Sequence, residues 1–593
     1  MFKSLKRGIV LSAVISLLAT AAMAKGFDDD DGYDDVRRHR GAKNVIVLIP
    51  DGCDESVQTL ARWYKGEDLN VDGMQGASMK VHMANSIIPG SAAAATAFSS
   101  GHKTTVRFIG IGPRTTDLLT GYEPTAAPYA PVASILEAAK LSGRATGLVA
   151  TSRITHATPA AYASHIEDRG WDNDIMEQMV YNNIDVAFGG GARHLIPAGE
   201  SYVPSFSTDE NPVSWGGRRT DGENLMEVLK FRGYEFVDNK EDMFALTSGK
   251  AWGLFDDSHL DADIDREALH PTQPSIAEMT EKAIDLLSQN KKGFFLMVEG
   301  SQVDWAGHNN DPIYMLKDFL AFDEAVKKAV DFAKRDGDTI VLAFPDHNTG
   351  GMTIGNREYN GAYTHLTYEE LIGPLKGMTM TSYALVGKIQ ALEGGWTVDN
   401  IISGVAQYWG LTISEEVAQE IFDLADTVEG LDGYRISKNY ALARLISKHY
   451  TAIGWTSHGH DGGTVPVWSY GLDLDGTLDN TKLAKIIARA MHVNLKRATK
   501  KLYVDIRDIT NNFEIDIETD ENGDARTGQI DDYNGVLRVG DAELPISKDY
   551  MVFNGKTFDL PGVTVYASGD AEVDDTVYLS KKAVRLLRSF GQL

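Results

Sequence analysis

A single serine, Ser91, stands in the run PGSAAAATAF at residues 89–98. Two readings fit it. Ser91 caps a buried alanine-rich helix, or it is a nucleophile at a helix start that must lie close to something charged. Elsewhere, carboxylates and imidazoles border short apolar runs. Asp51 follows VIVLI, Glu299 follows FFLMV, Asp304 and His308 lie in EGSQVDWAGH, Asp346 and His347 follow IVLAF, and His460 precedes VPVWSYG. Each has an ordinary role when taken alone: Asp51 as a cap, Asp304 and His308 as an i,i+4 pair, Asp346 and His347 as a hydrogen-bonded loop. Together they form a donor set. Imidazole nitrogen with carboxylate oxygen suits zinc, and oxygen donors alone suit magnesium. Cys53 is the only cysteine, which excludes a cysteine cluster for zinc and any intramolecular disulfide.

The elements that must position these groups read as buried strands: KNVIVLI (43–49), ATGLVAT (145–151), NIDVAFGGG (183–191), KGFFLMVEG (292–300) and DTIVLAFPD (338–346). Helical patterns such as PVASILEAAKLSG (131–143) and SIAEMTEKAIDLLSQN (275–290) lie between them. VPVWSYG (465–471) and a helix over 480–495 read as the last units. Alternation of this kind predicts an α/β fold, a mainly parallel central sheet with helices on both faces. Its candidate donors collect past the carboxyl ends of the strands, where such sheets bind ligands.

The chain has 593 residues and a formal charge of −27. Residues 1–24 carry Lys3, Lys6 and Arg7, then an apolar run, then AMA, the order of a secretory signal peptide. An exported, periplasmic or secreted protein is expected, with no membrane span. Without that segment the charge is −30, which repels nucleic-acid phosphates and argues against nucleic-acid binding. Residues 25–42, with six aspartates in 28–35, read as an acidic disordered leader. The main domain is expected over 43–497. From 498 to 593 short alternating runs between turns predict a small β-rich C-terminal module closed by KKAVRLLRSF. Within it EIDIETDENGD (514–524) lacks the closing acid of a calcium loop and reads as a hairpin turning at Asn522-Gly523. No candidate ligand lies in the module, so it is expected to be dispensable for chemistry.

The motifs PDG (50–52), GSAAAATAFSSGHKT (90–104), THATPAAYASHIEDR (155–169), VEGSQVDWAGH (298–308), PDHNTGG (345–351) and HDGGTVPV (460–467) together resemble the alkaline phosphatases, in order and internal spacing, over about residues 43–497. That resemblance implies a metal-dependent phosphomonoesterase with two zinc ions and one magnesium. It places the first zinc on Asp304, His308 and His460, and the second on Asp51, Asp346 and His347. Asp51 would bridge to the magnesium, held also by Thr158 and Glu299. Ser91 would be the nucleophile, passing through a phosphoserine, and Arg169 would grip the phosphate. His458 competes for the role of His460; the spacing to Val465-Pro466 favours His460. Small phosphate monoesters and inorganic phosphate are the implied substrates and product, and a homodimer is compatible with the family. Two departures stand out: Gly90 replaces the aspartate usual before the nucleophile, and His156 and Trp305 replace other residues around the magnesium site. A phosphodiesterase or sulfatase of the same superfamily, or a non-catalytic binding protein, are the alternative readings.

Overall fold

Ten strands form the central sheet: β1 (Asn44–Pro50), β2 (Gln75–Lys80), β3 (Ala145–Arg153), β4 (Val186–Gly190), β5 (Tyr234–Val237), β6 (Lys250–Leu254), β7 (Phe294–Gly300), β8 (Thr339–Ala343), β9 (Val465–Tyr470) and β10 (Thr477–Asp479). Their order is β10-β2-β9-β8-β1-β7-β3-β4-β6-β5. Only β9 runs antiparallel to its neighbours; every other pairing is parallel. The computed structural model describes residues 41–359, 363–430, 433–517, 534–569 and 573–593. The expected signal peptide, nearly all of the acidic leader and the Asn522-Gly523 turn lie outside these residues.

Every residue of β1, β4, β7 and β8 is buried. Helices cover both faces of such strands, which explains why they read as continuous apolar runs and not as alternating ones. Helices Ile135–Leu141 and Ile276–Leu287 each begin on a reciprocal capping box, Ser134 with Glu137 and Ser275 with Glu278. The single helix expected over 480–495 is two, Thr481–Ala490 and Leu495–Leu502. His492 between them takes a positive φ of 53°, and Asn494 caps the second through Arg497 N–H. The sequence reading also assigned no elements between about 355 and 453. Among the described residues five α-helices lie there, from Tyr368 to Tyr450, between two short strands, Met352–Ile354 and Ile453–Trp455, that pair with each other. Buried side chains of these helices, such as Ile372, Leu385, Ile401 and Ile421, join the main core. Among the described residues no helix is long and apolar enough to cross a membrane.

Beyond Leu502 the chain forms a five-stranded antiparallel sheet (Glu514 to Asp559), a three-stranded one that includes Val565–Gly569 and Val573–Leu579, and the helix Lys581–Ser589. Leu537, Leu544, Met551, Val577 and Leu587 make a separate hydrophobic cluster there. This region is fastened to the rest of the chain by charge. Lys548 Nζ lies 3.2 Å from Glu177 Oε1 and 2.9 Å from Glu223 Oε2, and 5.2 Å from the centre of the Tyr181 ring. Arg232 donates twice to Asp549, at 2.7 and 3.2 Å. Burial pushes the Glu177 carboxyl up, and Lys548 is the first group that opposes this. Removing one partner of a buried pair strands the other charge, at a cost of about 3 kcal/mol. Lys548→Met, which keeps the side-chain length, is therefore expected to lower stability by about 3 kcal/mol, read as the shift of the urea unfolding midpoint.

Candidate active site

Three adjacent parallel strands aim their carboxyl ends at one place. β1 delivers Asp51, β7 delivers Glu299, and the turn after β8 delivers Asp346 and His347. The helix Gln302–His308 starts directly after β7 and presents Asp304 and His308 one turn apart. The turn at Pro50-Asp51-Gly52 admits only glycine. Gly52 has φ +71°, and a Cβ there would lie 2.6 Å from Thr349 Oγ1 and 2.8 Å from Asp304 Cα. His460 arrives from far along the chain. The short strand His460–Asp461 pairs with Asn348–Thr349, which sets Thr349 opposite His460.

The predicted donors fall into groups whose ligand atoms lie within 4.8 Å of one another: Asp304, His308 and His460; Asp51, Asp346 and His347; and Asp51, Glu299 and His156. In the first group, His460 Nδ1 donates to the Pro89 carbonyl at 2.7 Å and His308 Nδ1 to the His458 carbonyl at 2.5 Å. These bonds fix both tautomers, so both Nε2 lone pairs turn inward, 3.2 Å apart, beside Asp304. Two imidazole nitrogens and a carboxylate converging in that arrangement can share a proton, which, against burial, raises His308 to about 9, or hold a metal cation. His458 contributes its carbonyl, while its ring stacks on Tyr434 with centroids 4.1 Å apart. In the second group, Asp346 Oδ1 accepts the backbone N–H of Gly52 and His347, and His347 Nε2 lies 3.1 Å from Asp346 Oδ2.

Orphaned oxygens mark the same places. Both oxygens of Asp51, Oδ2 of Asp346 and Oε1 of Glu299 are buried without a hydrogen-bond partner; so, in the short helix Ala157–Ala160, is the Thr158 hydroxyl. Unpaired buried polar atoms cost free energy unless something satisfies them, and a divalent cation fits these donors. His156, expected only near the magnesium site, joins the third group directly, with Nδ1 3.9 Å from Glu299 Oε1. Trp305 stacks edge-on to His156 at 5.8 Å and to His259 at 4.3 Å. Burial, followed by repulsion from Asp346, Asp304 and Glu299, holds the Asp51 carboxyl well above the usual range. Burial also raises Asp346, to about 7. For Asp304 burial acts upward, but His308, His460 and His347 outweigh it and hold the group well below the usual range.

Ser91 is the first residue of the helix Ser91–Ser100, and Gly90 is its cap. The capping role read for Ser91 therefore passes to Gly90. Ser91 Oγ instead points to His347 Nε2, 3.2 Å away. The ten residues of this helix are all buried, so the alanines serve close packing in the core. Arg169 Nη2 donates to His156 Nε2 at 2.9 Å, and its backbone N–H to the Arg107 carbonyl. Several supporting groups had no signal in the sequence. Thr349 Oγ1 donates to Asp304 at 2.6 Å, Ser152 Oγ donates to Glu299 at 3.3 Å, and the Pro89 and His458 carbonyls orient histidines. Hydroxyls and carbonyls are too common along a chain to be singled out before the fold brings them together.

Comparison with known proteins agrees with this geometry. Residues 42–493 match the family model described as alkaline phosphatase. The chain is 33% identical over 516 residues to alkaline phosphatase 3 of Bacillus subtilis, covering 83% of this chain and 99% of that protein. Among solved structures it is similar to the cold-active alkaline phosphatase of a psychrophilic Shewanella (25% identity, TM-score 0.60, 75% of this chain and 99% of that one). It is also similar to the Thermus thermophilus alkaline phosphatase (23% identity, TM-score 0.64, 79% and 96%), which speaks to the fold.

The donor groups generate a stability prediction. Chelation is expected to lower the thermal unfolding midpoint by several degrees, and zinc with magnesium to restore it. A cation at about 100 times its Kd stabilises by about 2.7 kcal/mol per site. Calorimetry with and without chelator reads this directly; an unchanged midpoint in protein shown to have lost its metal counts against the assignment.

Proposed function

Because the chain belongs to the alkaline phosphatase family, we propose that it hydrolyses phosphate monoesters through a phosphoserine on Ser91, at a site for two zinc ions and one magnesium. Asp304, His308 and His460 would hold one zinc, Asp51, Asp346 and His347 the other, and Asp51, Thr158 and Glu299 the magnesium. When bound, these cations supply Lewis acidity, favouring an alkoxide at Ser91 and screening the charge of the transferring phosphoryl group. The observation that carries the reading is the placement of Ser91 Oγ at a helix start, 3.2 Å from His347, in the same wall as the donor groups.

In this reading Ser91 Oγ gives its proton to solvent and attacks phosphorus, the ester P–O bond breaks, and the alcohol departs with a proton from solvent. Water then attacks the phosphoserine, the Ser91 Oγ–P bond breaks, a proton of the attacking water restores the Ser91 hydroxyl, and inorganic phosphate leaves. Free N–H groups at the helix start favour the negative charge that develops near Ser91. Arg169 offers a planar fork to two phosphoryl oxygens. The intact Thr158 and Glu299 pair, with Arg169, favours monoesters over the diesters or sulfate esters of related enzymes. The order of charge, apolar run and small residues in 1–24 supports export.

Gly90 sets the tone of the phosphate grip. Its φ of −111° is open to any residue, and a Cβ there meets nothing within 4 Å. An aspartate would fit as a helix cap and supply a partner for Arg169, leaving less to be ordered when phosphate binds.

Three outcomes are expected. The wild type should hydrolyse a chromogenic monoester far faster than the matching diester or sulfate ester. Acid-quenched wild type should carry phosphate on the peptide holding Ser91, whereas Ser91→Ala should carry none and retain only slow hydrolysis; label on another residue would refute the role. Gly90→Asp should fold, lower the maximal rate and tighten inhibition by phosphate about fivefold, equivalent to about 1 kcal/mol. Inhibition constants at matched zinc content check it.

A further inference from the structure

Arg169 ends a segment that is braced from behind by the C-terminal region. Ser568 lies in the strand Val565–Gly569, where the pairing with Val573–Leu579 shifts register between Ala567 and Gly569. Such irregularities re-aim a residue out of the ladder. Here the Ser568 N–H donates to Glu167 Oε1 at 2.9 Å, and its hydroxyl reaches both Glu167 oxygens at 3.3 and 3.1 Å. Glu167 is two residues before Arg169. A second brace acts four residues before it. The buried His165 ring has Nε2 2.6 Å from Tyr503 Oη and 3.2 Å from Glu137 Oε1, and Tyr503 also donates to Glu137. On its other side the His165 ring bonds the Gly110 carbonyl through Nδ1 at 2.7 Å.

We propose that the region after residue 497 positions Arg169 for phosphate, through Ser568 on Glu167 and Tyr503 on His165. The inference rests on the reading that Arg169 grips phosphate. An arginine loses rotamer freedom when it binds, and a backbone already fixed two and four residues away reduces what remains to be ordered. The region expected from the sequence to be dispensable thus acts on the site without lending it a ligand. Glu167, Tyr503 and Ser568 are positioning residues in this account; none touches substrate.

The test uses the full-length, metal-loaded enzyme and measures kcat, KM and the competitive inhibition constant of inorganic phosphate. Ser568→Ala, Tyr503→Phe and Glu167→Ala are each expected to weaken phosphate inhibition about two- to tenfold, the range of one lost hydrogen bond. KM should rise in parallel and kcat should change less. Glu167→Gln, which keeps an acceptor for the Ser568 N–H, should stay within about twofold of wild type. In an Arg169→Ala background the same changes should add nothing. The sign for Glu167→Ala is diagnostic: loss of a nearby negative charge by itself would tighten phosphate binding, so tightening overturns the proposal. Unchanged constants in Ser568→Ala, a mild change on a strand surface, also overturn it, as do equal losses with and without Arg169. If Arg169→Ala alone leaves phosphate inhibition intact, the phosphate-grip reading fails first and takes this inference with it.

Discussion

A concentration of buried carboxyl groups, of which Asp51 and Asp346 are made costly to ionise by burial and by their neighbours, is the constraint from which the rest of this structure follows. Asp51, Glu299 and Asp346 are fully buried, Asp304 is 4% exposed, and several of their oxygens have no hydrogen-bond partner. Like charges about 4 Å apart repel by about 4 kcal/mol per pair even at an effective dielectric of 20. Neutral donors leave several of these oxygens without a partner, and a divalent cation at each donor group would satisfy them. The fold meets the constraint with rigidity: three adjacent parallel strands, buried on both faces, hold the carboxylates where a looser scaffold would let them separate.

The histidines obey the same logic from the other side. Backbone carbonyls of Pro89 and His458 take the Nδ1 protons of His460 and His308, leaving both Nε2 atoms turned to one point beside Asp304. The loop that carries Ser91 thus also orients a histidine, because Pro89 lies two residues before the serine. Ser91 and a donor histidine are positioned by one turn of chain. Arg169, by contrast, rests on longer-range supports, with His156 in front and the Arg107 carbonyl, Glu167 and His165 behind. The carboxylate donors are held by the sheet, and Arg169 is held by loops.

The C-terminal region shows how a segment with its own small core becomes part of its neighbour. Its charged contacts, Lys548 with Glu177 and Glu223 and Asp549 with Arg232, are shielded from water at the seam. Buried pairs of this kind add little net stability over apolar packing, but they penalise misplacement, because a slipped register strands a charge. Specific seating, more than strength, is what bracing of a loop requires.

Much of this was legible from the chain alone. Short apolar runs rich in β-branched residues read as buried strands. Asp51, Glu299, Asp346 and His347 could be placed because each follows such a run directly, and Asp304 with His308 because a helix brings residues four apart together. These are local relations, set by the repeat of the backbone. What the sequence could not settle was every relation set by packing. The helix cap moved from Ser91 to Gly90 because the cap depends on backbone dihedrals. One expected helix became two because His492 turned left-handed, and the helices between 368 and 450 went unread although some, such as Val398–Trp409, carry a regular apolar stripe and a capping residue. His156 joined a donor group, and Thr349, the Pro89 carbonyl and Ser568 acquired roles, only when residues tens to hundreds of positions apart were folded into contact. Sequence by itself determined which chemical groups this protein has and which strand ends carry them. Tertiary structure decided where their lone pairs point, because orientation is fixed by hydrogen bonds between distant parts of the chain.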